Sequence, residues 1–252
     1  MESAGAVDAL ARQLESALGI GSGQVVATSA KPTLPGATVV LKWPGGTAEI
    51  DPQSGLIAAV QSRTSGVGPG PLVNEGQLDS TADKCALEMG WKDETLKEAG
   101  FRPEESALLV DDMDQYRKTW VAYTSQGIQT DGLIEVRLDA RDGSVFSYFS
   151  KPGMGDVQAD LSAVISQETA QAIARAAIED CSPGEPIVTS SQVALATTVS
   201  KLMWFDAKAV TGGKQKLIWV IELVGRDPEG VVVGGSAYVD AMSGQVVFAG
   251  SY

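Results

Sequence analysis

Apolar residues recur at three- and four-residue steps over Val7, Leu10, Ala11, Leu14, Ala17 and Leu18, the stripe of an amphipathic helix, and Gly19 and Gly21 stop it. From Val25 the pattern changes to short alternating runs. It predicts strands over 25–27, 38–43, 47–50 and 56–58, with Pro44-Gly45-Gly46 as a turn between the second and third. Residues 62–71 have no periodicity and read as a linker. A second helix is predicted from a Ser80 cap through Ala82, Cys85, Ala86 and Met89 to a stop at Gly90, and a short one over 93–99. Strands are then expected over 107–110, 119–123, 133–138 and 144–149. In the third of these Ile134, Val136 and Leu138 share one face while Glu135 and Arg137 share the other, the alternation of a half-buried strand. In the last, strict alternation puts Phe146 and Tyr148 on one face and Val145 and Phe149 on the other, so both faces are expected to be covered. After a connector at 152–155 the clearest helical stripe in the chain runs through Ala170, Ile173, Ala174, Ala177, Ile178 and Cys181, with Ser166 as cap. Strands are predicted over 191–196, 201–210, 216–224, 231–240 and 245–249. The run 217–224 is apolar on both faces except for Glu222, which marks a central strand.

One local pattern occurs three times. Asp51 with Gly55, Asp139 with Gly143 and Asp240 with Gly244 each stand between two strand-like runs, always with three residues from aspartate to glycine. The aspartate can accept hydrogen bonds from backbone N–H groups ahead of it, and the glycine can take the positive φ that closes the turn. The aspartates lie 88 and 101 residues apart, longer than most solenoid repeats, so each copy is expected to mark a domain-sized unit. Three units follow, over 1–61, 72–151 and 160–252.

Composition narrows the chemistry. With 252 residues, 44% of them hydrophobic, the chain can bury a core. A formal charge of −13 repels phosphate backbones, so no nucleic-acid partner is expected. No apolar run approaches the roughly eighteen residues of a spanning helix, so no direct membrane insertion is expected. Met1 followed by Glu-Ser-Ala-Gly reads equally as a cytoplasmic start or as a chain trimmed of a signal or anchor. Cys85 and Cys181 read as buried thiols or as a bridge between units. The chain has no histidine, which removes Ser-His-Asp and Cys-His catalysis and the commonest zinc ligand together.

What remains is carboxylates and aromatic rings. Asp111, Asp112 and Asp114 cluster, but without the glycine and distal glutamate of a calcium loop they read as a solvated loop. Glu222 in its apolar strand is the one nominee for acid–base chemistry. No catalytic residue, metal or cofactor is expected. Trp43, Trp120, Trp204 and Trp219 on strands read as core or as inter-unit packing. Among the aromatics, Trp120, Tyr123, Phe146, Tyr148, Trp204 and Trp219 are the candidates for a binding surface. The candidate for an open sheet edge is 189–198, rich in small hydroxylated residues and uncharged.

The segment Ile165-Ser166-Gln167-Glu168-Thr169-Ala170 with Ile173-Ala174, then Trp219-Val220-Ile221, then Ala237-Tyr238-Val239-Asp240-Ala241 with Ser243-Gly244-Gln245-Val246, resembles a PepSY domain. Trp120-Val121-Ala122 and Val136-Arg137-Leu138-Asp139-Ala140 before Asp142-Gly143 resemble a diverged copy, and Glu49-Ile50-Asp51 before Ser54-Gly55 a remnant of one. Tandem copies are also similar to the YcdB/YcdC-type repeated domains of bacterial envelope proteins. The resemblance implies an α+β fold of three tandem modules, each an N-terminal helix packed on a small curved antiparallel sheet. It implies a non-catalytic binding or regulatory protein, extracytoplasmic, secreted or envelope-anchored. Its partner would be a protein, a secreted peptidase or another envelope protein, met through a sheet surface. A propeptide-like folding aid and a carboxylate-only hydrolase are the alternatives.

Overall fold

In the computed structural model, residues 4–34, 37–51, 56–62, 71–104, 106–109, 114–153, 157–180, 195–205, 215–226 and 230–251 are described. The helices are α1 (Ala4–Leu18), α2 (Glu75–Glu88), α3 (Asp93–Glu98) and α4 (Gln167–Asp180), with a 3₁₀ turn at Leu161–Ala163. The strands are β1 (Val26–Thr28), β2 (Val39–Trp43), β3 (Gly46–Asp51), β4 (Leu56–Ser62), β5 (Phe101–Pro103), β6 (Ala107–Leu109), β7 (Gln115–Tyr123), β8 (Gln129–Asp139), β9 (Val145–Lys151), β10 (Ala196–Phe205), β11 (Lys216–Arg226), β12 (Val232–Asp240) and β13 (Val246–Ser251). Ser80 lies inside α2 rather than at its start. The cap is Asn74, whose side chain accepts from the Gly76 N–H at 2.9 Å. Ser166 does cap α4, accepting from the Thr169 N–H at 3.2 Å.

The expected fold of three tandem modules, each a helix on its own small sheet, is not what the chain forms. Among the described residues thirteen strands are hydrogen-bonded in one order, β1-β2-β3-β4-β9-β8-β10-β11-β12-β13, with β7 on β8 and with β5 and β6 on β7. Antiparallel pairings dominate, and a parallel bridge joins Met203 of β10 to Gln129 of β8. The physical reason is that a strand's polar pattern reveals its two faces but not who sits at its edges. Ala59, Val60 and Gln61 of β4 pair with Phe149, Tyr148 and Ser147 of β9, joining what the sequence separates. The chain divides into two compact units, Met1–Tyr123 with Gly132–Gly155, and Thr124–Asp131 with Asp156–Tyr252.

Within the first unit one apolar cluster takes in Leu10 and Leu14 of α1, Leu41, Ile50 and Ile57 of the β2–β4 meander, Leu78, Ala82, Cys85 and Ala86 of α2, and Ile134, Val136, Leu138 and Tyr148 of β8 and β9. The helices α1 and α2 therefore serve the same core, and the Gln13 amide on α1 donates to the Glu88 carbonyl at 2.5 Å. Lys118 of β7 is buried yet ion-paired twice with α2, to Asp79 at 2.9 Å and Asp83 at 2.7 Å, and the Tyr116 hydroxyl donates to Asp79 at 2.7 Å. Within the second unit α4 lays Ala170, Ala174 and Ile178 on Ile221, Leu223, Ala237 and Val239 of the sheet.

The repeated turn is real at the level of individual hydrogen bonds. Asp139 accepts from the Arg141 N–H at 2.8 Å and Asp240 from the Met242 and Ser243 N–H groups at 3.1 and 3.0 Å. In these two turns the glycine N–H donates to the aspartate carbonyl, Gly143 to Asp139 at 2.8 Å and Gly244 to Asp240 at 2.9 Å, at φ of 75° and 73°. All three hairpins carry a bulge at the same place. The residue before each aspartate pairs with the second residue after each glycine: Ile50 with Ile57, Leu138 with Val145, Val239 with Val246. The tip of the first, including Gly55, lies outside the described residues.

The alanine after the aspartate is pinned the same way twice. Ala140 N–H donates to the Asp114 carbonyl and its carbonyl accepts from Val73, the residue before the α2 cap, both at 2.8 Å. Ala241 N–H donates to the Leu217 carbonyl and its carbonyl accepts from Ile165, the residue before the α4 cap, both at 2.9 Å. Both alanines are fully buried.

Two predictions follow from these contacts. Gly143→Ala brings its Cβ only into ordinary contact, 4.0 Å from the Leu78 Cδ2, but must hold a positive φ, and should cost about 1 kcal/mol in urea unfolding. Gly132→Ala should cost more, about 1–3 kcal/mol, because its Cβ would lie 2.6 Å from the Gly153 Cα and 2.7 Å from the Ala122 Cβ, neither of which can swing away. Equal losses for the two variants would refute the packing argument. The second concerns pH. The Lys118 ammonium, and with less weight the Tyr116 hydroxyl, hold the Asp79 carboxyl below its ordinary 3.8 despite partial burial. A depressed carboxyl stabilises the fold above that value and loses its contribution as pH falls through the folded one. Asp79→Asn should therefore flatten the acid limb of stability against pH, and a limb as steep as in the parent chain would show that the pair contributes nothing.

Candidate functional site

Within the first unit, antiparallel pairing sets side chains from five strands in two cross-strand rows on the sheet face opposite the helices. The pairings Lys42–Thr47, Thr47–Gln61, Gln61–Ser147 and Ser147–Arg137 make the first row. Beside it, Val40–Glu49, Glu49–Ala59, Ala59–Phe149 and Phe149–Glu135 make the second. At one inter-strand step of about 4.8 Å, five strands carry each row across about 19 Å. The first row is hydroxyl, amide, hydroxyl in its middle with a cation at each end. The second has an apolar middle with a carboxylate toward each end.

Two concavities lie along these rows and share Thr47, Gln61 and Ser147. One, of about 1000 Å³, is lined also by Lys42, Trp43, Pro44 and Phe146. The other, of about 600 Å³, is walled by Thr33 and Leu34 and floored by Ala59 and Phe149. Both carboxylates are engaged. Glu49 accepts from the Thr33 hydroxyl at 2.6 Å and from the Thr33 and Leu34 N–H groups, which fixes that wall over the sheet. Partial burial pushes the Glu49 carboxyl up, and those donors outweigh it and hold the group below its ordinary range. Glu135 takes the Arg137 Nε at 2.8 Å. The groove thus presents hydrogen-bonding groups of both senses and an aromatic floor. Among the described residues no three acidic or thiol groups gather where they could hold a metal.

The aromatic candidates are dispersed. Trp120 and Tyr148 are in the core of the first unit, 5% and 1% exposed, and burial drives the Tyr148 phenol far above its ordinary range. Tyr123 is half-buried under the Arg102 guanidinium, 4.9 Å from the ring centre. Phe146 alone of the six lines the larger concavity. Trp204 and Trp219 are half-buried in the second unit, where the Trp219 indole N–H donates to the Ile165 carbonyl at 3.1 Å. The turn residues Asp139, Gly143, Asp240 and Gly244 do structural work, and Asp240 also takes the Lys216 ammonium at 2.9 Å. Asp51 ends β3.

The carboxylate nominees separate too. Glu222 is half-buried opposite Ser236 and Val199 in the second unit. Asp114 pairs with the Arg141 guanidinium, and Asp111 and Asp112 lie outside the described residues. Cys85 is a free, buried thiol pushed up to about 12 by its burial, and Cys181 lies outside the described residues. Of the candidate edge at 189–198, residues 195–198 are described: Leu195 is buried, and Ala196, Thr197 and Thr198 begin β10, paired with β11.

Sequence reading missed Thr47, Gln61 and Ser147. Their signal was present as polar residues in outward register, but matching them requires knowing that β4 pairs with β9. Among the described residues no helix is long and apolar enough to cross a membrane. No protein-family model matches the chain, and the search of curated proteins finds no match.

Substitution of Gln61, which is exposed, should spare the fold. Gln61→Ala is expected to change the urea midpoint by less than about 0.5 kcal/mol, whereas Tyr148→Ala, emptying a core site, should cost about 3–5 kcal/mol. A large loss for Gln61→Ala would mark it as a structural residue rather than an available one.

Proposed function

We propose that this chain is a non-catalytic binding protein that holds an extended, uncharged segment of another protein in the groove of its first unit. The observation that carries the reading is the row Thr47, Gln61, Ser147, donors and acceptors set beside Ala59 and Phe149. An extended segment of about six residues matches a span of about 19 Å, its amides meeting the hydroxyl and amide side chains and its apolar groups meeting Phe149. Because Glu49 and Glu135 are already engaged, neither stands ready as a general base. The resemblance of 160–252 to a PepSY domain supports an envelope or secreted setting, and with it a peptidase or another envelope protein as the partner.

The test is a screen of the purified chain against a peptide library and a panel of secreted peptidases, followed by titration of the hits. Ser147→Arg, which fills the groove, should weaken the selected segment by about tenfold or more, and Gln61→Ala by about three- to tenfold. Binding untouched by both substitutions would move the site elsewhere. Saturable turnover of a substrate that is lost in Glu222→Gln would replace the binding reading with the hydrolase one.

A further inference from the structure

The two ends of the polar row in the first unit are not equivalent. At one end the Arg137 guanidinium is met by the Glu135 carboxylate at 2.8 Å. At the other, Lys42 is exposed and has no ion pair among the described residues. The two concavities differ in the same sense. No aspartate or glutamate is among the described residues lining the larger one, where Lys42 stands, although the chain carries 32 acidic side chains against 19 basic. The smaller one holds two carboxylates, Glu49 and Glu135, against the single guanidinium of Arg137. An anion entering the groove is therefore repelled from one end and meets an unanswered ammonium at the other. At physiological ionic strength charges beyond about 8 Å are screened, so the nearby ammonium outweighs the net charge of the molecule.

An apolar site lies at a fixed interval from that ammonium. Leu34, Ala59 and Phe149 make the apolar part of the smaller concavity, and Glu49 holds Leu34 in place by accepting its N–H at 2.7 Å. Phe149 on β9 is three strand steps from Lys42 on β2, about 14 Å, the length of about four extended residues. On the other side of Lys42 the row reaches one more described residue, Val26 of β1, which offers no side-chain hydrogen bond. A bound segment gains no polar contact by continuing past Lys42.

We propose that Lys42 is the specificity residue of the groove and takes the C-terminal carboxylate of the bound segment. The ligand class is then the uncharged tail of a protein chain, ending in a free carboxylate at Lys42 and placing an apolar residue about four positions earlier against Leu34 and Phe149. Resting on the binding role given to the groove above, this assignment adds a direction and a terminus to it. A main-chain carboxylate fits better than an aspartate or glutamate side chain, because the hydrogen-bonding side chains Thr47, Gln61 and Ser147 all lie to one side of Lys42.

The test uses acetylated six-residue peptides of serine and threonine with one leucine four positions ahead of the C-terminus, made as free acid and as amide. The parent chain should bind the acid about fivefold more tightly than the amide, the worth of one exposed charge pair. Lys42→Gln should erase that difference while leaving the affinity for the amide and the urea midpoint unchanged. Ser147→Arg separates this assignment from the groove itself. Peptides that Ser147→Arg displaces, but that bind equally well as acid and amide, leave the groove in place and overturn the terminal assignment alone. Binding indifferent to Ser147→Arg, or no binding of either form at millimolar peptide, overturns both. An amide peptide ending in aspartate that binds as tightly as the free acid gives Lys42 to a side chain and overturns the assignment equally.

Discussion

A peptide group buried on both sides has to find a partner for its N–H and another for its C=O, and the fully buried alanine after the turn aspartate is where this chain meets that demand twice. The Ala140 N–H goes to Asp114, just ahead of β7, and the Ala241 N–H to Leu217 in β11, while each C=O goes to the residue that introduces a helix. Hairpin, strand and helix start are thereby fixed to one another by a single residue too small to hold them by side-chain contact. The aspartate orders the backbone ahead of that alanine and the glycine returns the chain, so the motif acts as a clamp and its aspartates need no ligand to explain them.

The bulge shared by the three hairpins decides which side chains reach the groove. In β9 it inserts one residue between Val145 and Ser147, so Val145 lies opposite Leu138 on the core side while Ser147 and Phe149 lie outward beside Arg137 and Glu135. Strict alternation would give Tyr148 the company of Phe146 and place Val145 with Phe149. One inserted residue reverses that parity for half the strand. The polar middle of the groove depends on this reversal, because it brings a serine rather than an aromatic ring beside Gln61.

Much of the local structure was legible in the chain itself. The stripes of α1 and α4, the Ser166 cap and the turn glycines were all readable, because each depends on residues within a few positions of one another. Ser80 has the hydroxyl of a cap, but Asn74, with Glu75 behind it, starts the helix ahead of it. What pattern could not convey was adjacency. Nothing in Ala59-Val60-Gln61 names Phe149-Tyr148-Ser147 as its neighbour, so two sheets were expected where hydrogen bonds make one. The groove, made from both, was invisible for the same reason. Large aromatic residues were the natural nominees for a surface, yet Trp120 and Tyr148 serve the core, which rewards area more than any surface does.

Turn and bulge are each closed within one hairpin, whereas the alanine pins reach back along the chain, to Val73 and Asp114 from Ala140 and to Ile165 and Leu217 from Ala241. The unequal spacings of 88 and 101 residues between the aspartates arise outside the turns themselves. Between aspartate and glycine one residue more or less breaks the Gly143 to Asp139 bond and slides the following strand out of phase, so the turn is a fixed length whatever residues fill it.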